Sequence, residues 1–245
     1  MNSYWLAGPL FWAGFVLSLP QAMWLRRRAL RLGPAEGPTE GCSGRGPRRR
    51  LVGIGDSIIA GVGADRTEAM LTARVADCWA ERCGVEVEWR AIGRNGADAA
   101  ATQTQLLPRL PPASVDHFLV SVGVNDVTGL HSVRRWRADL DGLLEALARH
   151  SPAASICLLA IPPMERFPAL PWPLAEVFGL RARTFNRATA ALIVGRSGIA
   201  HPEYTALGPR SAEAFAADGY HPNADSYRQL AELLAAEIAF GPGAA

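Results

Sequence analysis

From Leu51 onward, short apolar runs alternate with longer amphipathic stretches, and no other feature constrains the fold as much. A run of four to eight apolar residues bounded by Gly or Pro reads as a buried strand. Apolar residues three and four apart over ten or more positions read as a helix. By these criteria residues 51–55, 85–91, 117–122 and 156–160 are strands, and residues 67–83, 97–107, 132–149, 175–194 and 224–240 are helices. Regular alternation of the two implies parallel strands with helical crossovers on both faces. Nothing repeats at a fixed period, which excludes a solenoid or propeller. In such sheets the ligand crevice lies beyond the carboxyl ends of the strands.

The residues just past each strand are therefore informative. The first strand leads into Gly55-Asp56-Ser57, the second into Gly93-Arg94-Asn95-Gly96, and the third into Gly123-Val124-Asn125-Asp126. Just before the last helix comes Asp218-Gly219-Tyr220-His221-Pro222-Asn223. All four segments are expected on one edge of the sheet. A serine hydroxyl is a weak nucleophile until a base takes its proton, and His221 can do this with its other ring nitrogen held by a carboxylate. Asp218, three residues earlier, is close enough to be that carboxylate. An oxyanion forming at the carbonyl needs donors already in place. The N–H of Ser57, the N–H of Gly96 and the side-chain amide of Asn125 can provide them. A glycine at position 96 permits close backbone approach.

In this order the four segments resemble the signature blocks of the SGNH (GDSL-type) hydrolase family over about residues 50–240. Ser57 takes the nucleophile position, with Ile58 where Leu is usual. Gly96, Asn125 and the Asp218-x-x-His221 pair match the later blocks. The resemblance implies a three-layer α/β/α sandwich around a parallel, flavodoxin-like sheet. It also implies hydrolysis of carboxylic esters through an acyl-enzyme on Ser57, with no cofactor and no metal. Lysophospholipases, thioesterases, and carbohydrate acetyl-esterases or acetyltransferases share the same triad, and a small-molecule or lipid-like acyl ester is the expected partner. Residues 161–174 resemble a bacterial subgroup with an N-terminal hydrophobic segment. In this proline-rich loop Met164, Phe167, Leu170 and Trp172 are candidates for an apolar substrate wall or a membrane contact.

Other readings of the same residues carry less. Asp56 and Asp126 read as capping or supporting carboxylates. His117, His131, His150 and His201 lack a comparable setting. A two-metal phosphoesterase built on Asp56, Asn125, Asp126, Asp218 and His221 would have only one imidazole, where such sites are usually denser. A non-catalytic membrane scaffold would not need a complete triad. No Gly-x-Ser-x-Gly occurs, which argues against the α/β-hydrolase elbow.

The N-terminus differs in character. Residues 1–25 carry no charge, and residues 4–25 are long enough at ~1.5 Å per residue to span a ~30 Å hydrocarbon core. Arg26, Arg27, Arg28 and Arg31 follow the apolar run. This order suits a membrane anchor with the domain in the bacterial cytoplasm better than a cleaved signal peptide leading to export. Residues 26–50 carry eight Arg against two Glu, together with several Gly and Pro, and read as a basic tether beside anionic lipid. Residues 51–245 carry 17 Arg against 21 acids, so the domain shows no nucleic-acid footprint. The domain boundaries expected are thus 1–25, 26–50 and 51–245. Cys42, Cys78, Cys83 and Cys157 have no metal-like or disulfide-scaffold spacing and read as buried free thiols.

Overall fold

The computed structural model describes residues 4–202 and 211–237, with the backbone course alone for residues 4–7. Six strands form one sheet: β1 (Glu40–Gly44), β2 (Arg48–Gly55), β3 (Glu86–Gly93), β4 (His117–Ser121), β5 (Ser155–Leu158) and β6 (Ile199–Ala200). Their order is β1-β3-β2-β4-β5-β6. Every pair is parallel except β1 with β3. The expected all-parallel sheet is therefore corrected to a mixed one with an antiparallel edge. Without that edge strand the order is the flavodoxin-like one, whose crossover direction reverses between β2 and β4.

The side chains of the strands alternate strictly between two cores. Val52, Ile54, Phe118, Val120, Ile156 and Leu158 face one layer. It contains α5 (Val133–His150) and α6 (Leu174–Ile193). Leu51, Leu119 and Cys157 face the other, against α2 (Leu71–Cys83) and α7 (Ala224–Glu237). Both faces of the central strands are covered, so these strands read as continuous apolar runs.

Local chemistry sets the helix limits. Ser132 caps α5 through its side chain, which accepts from the Arg135 N–H. Gly84, in the left-handed region at φ 61°, ends α2. The helix expected over residues 97–107 is broken. Asp98 caps a single turn, α3 (Ala99–Ala101), followed by a π-type turn over Thr102–Leu106 and a 3-10 turn over Leu107–Arg109. A short helix, α4 (Val124–Thr128), comes directly after β4. The end expected for the last helix at residue 240 lies outside the described residues.

Residues 40–50, expected in a flexible tether, instead supply β1 and the start of β2. Cys42 is consequently an exposed strand residue; Cys78 and Cys83 are half-buried, and only Cys157 is fully buried. The N-terminal segment forms α1 (Tyr4–Arg28), which docks on α6. Phe11 and Ser18 are buried there, and Gly14 lies so close to Val177 that a Cβ would stand 2.8 Å from its methyl group. Arg181, itself buried, stacks its guanidinium 4.1 Å from the centre of the Phe11 ring. Among the described residues no helix is long and apolar enough to cross a membrane. This corrects the expectation of a spanning anchor. Pro9, Ser18, Pro20 and Gln21 dilute the apolar run, and one of its faces is already occupied by the domain.

Candidate active site

Ser57 opens the turn after β2. Gly55 makes that turn possible: its φ is +143°, and a Cβ would meet the Ser121 carbonyl oxygen at 1.9 Å. The Asp56 N–H donates to that same oxygen at 2.9 Å, fixing the turn to the end of β4. The Asp56 side chain points inward, accepting from the Ser121 hydroxyl at 2.8 Å and the Ile58 N–H at 3.0 Å. It is thus a supporting carboxyl, as its position suggested. Burial pushes it up to about 7 against those two hydrogen bonds.

His221 comes from the loop leading into α7. Asn223 caps α7, its side chain accepting from the Ser226 N–H at 3.0 Å. The Tyr227 hydroxyl donates to the Val62 carbonyl at 2.7 Å, binding α7 to the turn that carries Ser57. Within the loop, one oxygen of Asp218 accepts the N–H groups of Tyr220 and His221 at 2.9 and 3.0 Å. Its other oxygen lies 2.6 Å from Nδ1 of His221, and Nε2 lies 2.9 Å from Oγ of Ser57. Burial alone would raise the Asp218 carboxyl; the bonds from His221 and Tyr220 outweigh it and hold the carboxyl below its usual range. An ionised Asp218 accepts only, so Nδ1 carries the proton and Nε2 is left to accept from the Ser57 hydroxyl. This is the relation of nucleophile, base and orienting acid that general-base activation requires.

The two other blocks are tied together beside this line. The Asn125 amide donates to the Ala97 carbonyl at 2.9 Å, which uses one of its two N–H donors. Gly96 sits at φ +80°. No protein atom would meet a Cβ built there, and the positive φ is a backbone conformation that favours glycine. Asp126 is fully buried. It accepts from the Ala99 N–H and lies 3.1 Å from Nδ1 of His131, whose Nε2 is 3.8 Å from Asp98. Asp98, Asp126 and His131 form the only metal-like cluster among the described residues. It shares only Asp126 with the five residues considered for a two-metal site. Asp218 and His221 are committed to each other and to Ser57.

Ser57 and His221 open onto a crevice of about 540 Å³, part of it open to solvent, walled mainly by apolar side chains. Of the four loop candidates only Phe167 lines it. Met164 and Leu170 are buried in the core, and Trp172 is 77% exposed beside α1. Proline spacing could not tell these orientations apart. Val122, Val124, Leu159, Phe215 and Tyr220 are also in the wall. Tyr220 adjoins the triad histidine in sequence and could have been read from it; Phe215 carried no signal. The remaining histidines bond within the fold: His117 is buried against Ser155, and burial lowers it to about 4. His150 bonds Ser151 and the Pro111 carbonyl, and His201 bonds the Leu158 carbonyl.

A flavodoxin-like sheet with Ser, His and Asp on loops at one edge is the SGNH-hydrolase fold. Comparison with known proteins agrees. The profile of the GDSL-like lipase/acylhydrolase family matches residues 54–229, and the chain belongs to that family. GDSL-like esterase Rv1075c of Mycobacterium tuberculosis is 25% identical over 190 residues, which is 75% of this chain. The chain spans about 60% of the length of that relative. Among solved structures, the lipase Lip_vut3 from a goat rumen metagenome superposes with a TM-score of 0.64 at 18% identity, over 79% of this chain and 100% of its own. An extracellular lipase from Streptomyces rimosus gives 0.57 at 18% identity, over 76% and 97%.

Proposed function

We propose that the protein hydrolyses carboxylic esters through an acyl-enzyme on Ser57. The continuous Asp218–His221–Ser57 line carries this reading. Oγ of Ser57 attacks the ester carbonyl carbon as its proton passes to Nε2 of His221. Asp218 stabilises the imidazolium that forms. The carbonyl π electrons become an oxyanion, for which the N–H of Ser57, the N–H of Gly96 and the remaining N–H of Asn125 are the assigned donors. Collapse of the intermediate expels the alkoxide, which takes the proton from His221 and leaves as alcohol. Water then attacks the acyl-serine, giving its proton to His221, and the carboxylic acid departs as Ser57 is reprotonated.

The crevice supports an apolar acyl group in preference to a sugar acetate. Val122, Val124, Leu159, Phe167 and Phe215 offer contact area but little to bond a polyol. Hydrolysis profiles against p-nitrophenyl esters of increasing chain length, acyl thioesters and acetylated xylan test the reading. Medium-chain esters should give the highest kcat/KM, and Ser57→Ala should abolish the activity. Selective deacetylation of the glycan would instead assign the site to carbohydrate esters.

A further inference from the structure

One face of α1 meets α6; among the described residues the other is largely exposed. Trp12, Val16, Leu19 and Met23 recur at helical spacing on the uncovered side, flanked by Leu17 and Trp24, and all six are exposed. Leu10 on the same helix is exposed too; off α1 the only exposed large apolar side chains among the described residues are Leu30, Trp172, Val194 and Leu233. Large apolar surface is thus concentrated on a single helix, which marks a docking surface.

Two further observations indicate what covers it. At the C-terminal end of α1 the exposed Arg26, Arg27, Arg28 and Arg31 enter no ion pair with a carboxylate among the described residues. No Asp or Glu occurs before Glu36, so a second copy of this face would offer these arginines no counter-charge. Anionic headgroups would offer one. Trp12, Trp24 and Trp172 are of the residue type that collects at the bilayer–water boundary. Arg28 stands 5.7 Å over the Trp24 ring, so cation and aromatic form one unit. The opposite face of α1 is held on the domain by Phe11, Arg181 and Gly14, which leaves the helix no freedom to cross a bilayer.

We propose that α1 lies in the plane of an anionic lipid surface, with its uncovered face and Trp172 at the acyl–headgroup boundary and the four arginines on lipid phosphates. The Gln21 side chain donates to the Trp172 carbonyl at 2.8 Å. Five residues upstream in the same loop, Phe167 walls the crevice. The segment touching lipid is therefore the one that shapes the site, which suits esters resident in a membrane. This goes beyond ester hydrolysis and does not depend on it.

Co-sedimentation of the full chain carrying Ser57→Ala with lipid vesicles tests the proposal, since no turnover is involved. Vesicles of phosphatidylcholine containing phosphatidylglycerol should bind it, and vesicles of phosphatidylcholine alone much less. Molar salt or alkaline carbonate should release it. The quadruple variant R26Q/R27Q/R28Q/R31Q should bind at least about tenfold more weakly. L17Q/M23Q should also weaken binding, and circular dichroism checks that both variants fold. Three results would overturn the proposal: equal binding to both vesicles with no arginine effect, resistance to alkaline extraction, or no vesicle binding with a dimer that L17Q/M23Q dissolves.

Discussion

His221 and His131 stand near the carboxyl edge of the same sheet, each with Nδ1 against an aspartate, yet they differ in what faces the other nitrogen. Nε2 of His221 meets the Ser57 hydroxyl at 2.9 Å and opens on a crevice. Nε2 of His131 faces a second carboxylate, Asp98, at 3.8 Å, and its backbone carbonyl accepts from the buried Arg181. A carboxylate beside an imidazole is therefore not what makes a base. A hydroxyl within reach and room for a substrate do that. The second cluster instead joins the Gly96 loop, through Asp98 and Ala99, to the Asn125 turn, through Asp126. None of its three side chains lines the crevice beside Ser57.

The contrast breaks most sharply at the nucleophile. Ser57→Ala should lower kcat by about 10⁴–10⁶, since the triad acts as a unit. Steady-state hydrolysis of a chromogenic ester measures this, and a variant within tenfold of wild type would move the nucleophile elsewhere. Asn125→Ala removes both a proposed oxyanion donor and the bond to Ala97. Its kcat should fall about 10²–10³ with little change in KM.

Asp56 sharpens the comparison from beneath the site. Its folded carboxyl is raised to about 7, so the folded state holds its proton more tightly than the unfolded chain does. Its contribution to stability is present below the unfolded value near 3.8 and is lost as pH rises towards 7. Relative to Asp56→Asn, wild type should lose stability with a slope of up to about 1.4 kcal/mol per pH unit in that window. Urea melts at several pH values would show it, and parallel curves for the two proteins would refute it. His131→Asn should have the smallest effect on catalysis. It should cost about 1–3 kcal/mol of stability by stripping a partner from buried Asp126. Its kcat should stay within tenfold of wild type, and a larger loss at unchanged fold would make His131 part of the reaction.

How far the sequence disclosed all this depends on what each segment packs against. The central strands and the blocks after them were legible because burial on both faces leaves a continuous apolar run. β1 was not. Glu40-Gly-Cys-Ser-Gly44 has no apolar pattern, because it is held by backbone pairing and by Gly41, which lies against the Trp89 ring where a Cβ would stand 2.8 Å away. Residues 4–25 read as a membrane span because length and the lack of charge do not disclose that one face is docked on the domain. In the proline-rich loop, composition announced an apolar segment but not which of Met164, Phe167, Leu170 and Trp172 turns towards Ser57. The triad spacing was legible because Asp218 and His221 meet within one turn. The roles of Ser121 and Asp98 were hidden, since they act through Asp56 and His131.

The most direct test of the central claim is the site of covalent trapping. The full chain would be treated with a fluorophosphonate and digested, and the adduct mapped by mass spectrometry, beside a His221→Ala variant. A serine hydroxyl activated by His221 should give a single adduct on Ser57 in the unmodified protein and almost none in the variant. An adduct on another residue, or equal labelling of Ser57 without His221, would contradict the account.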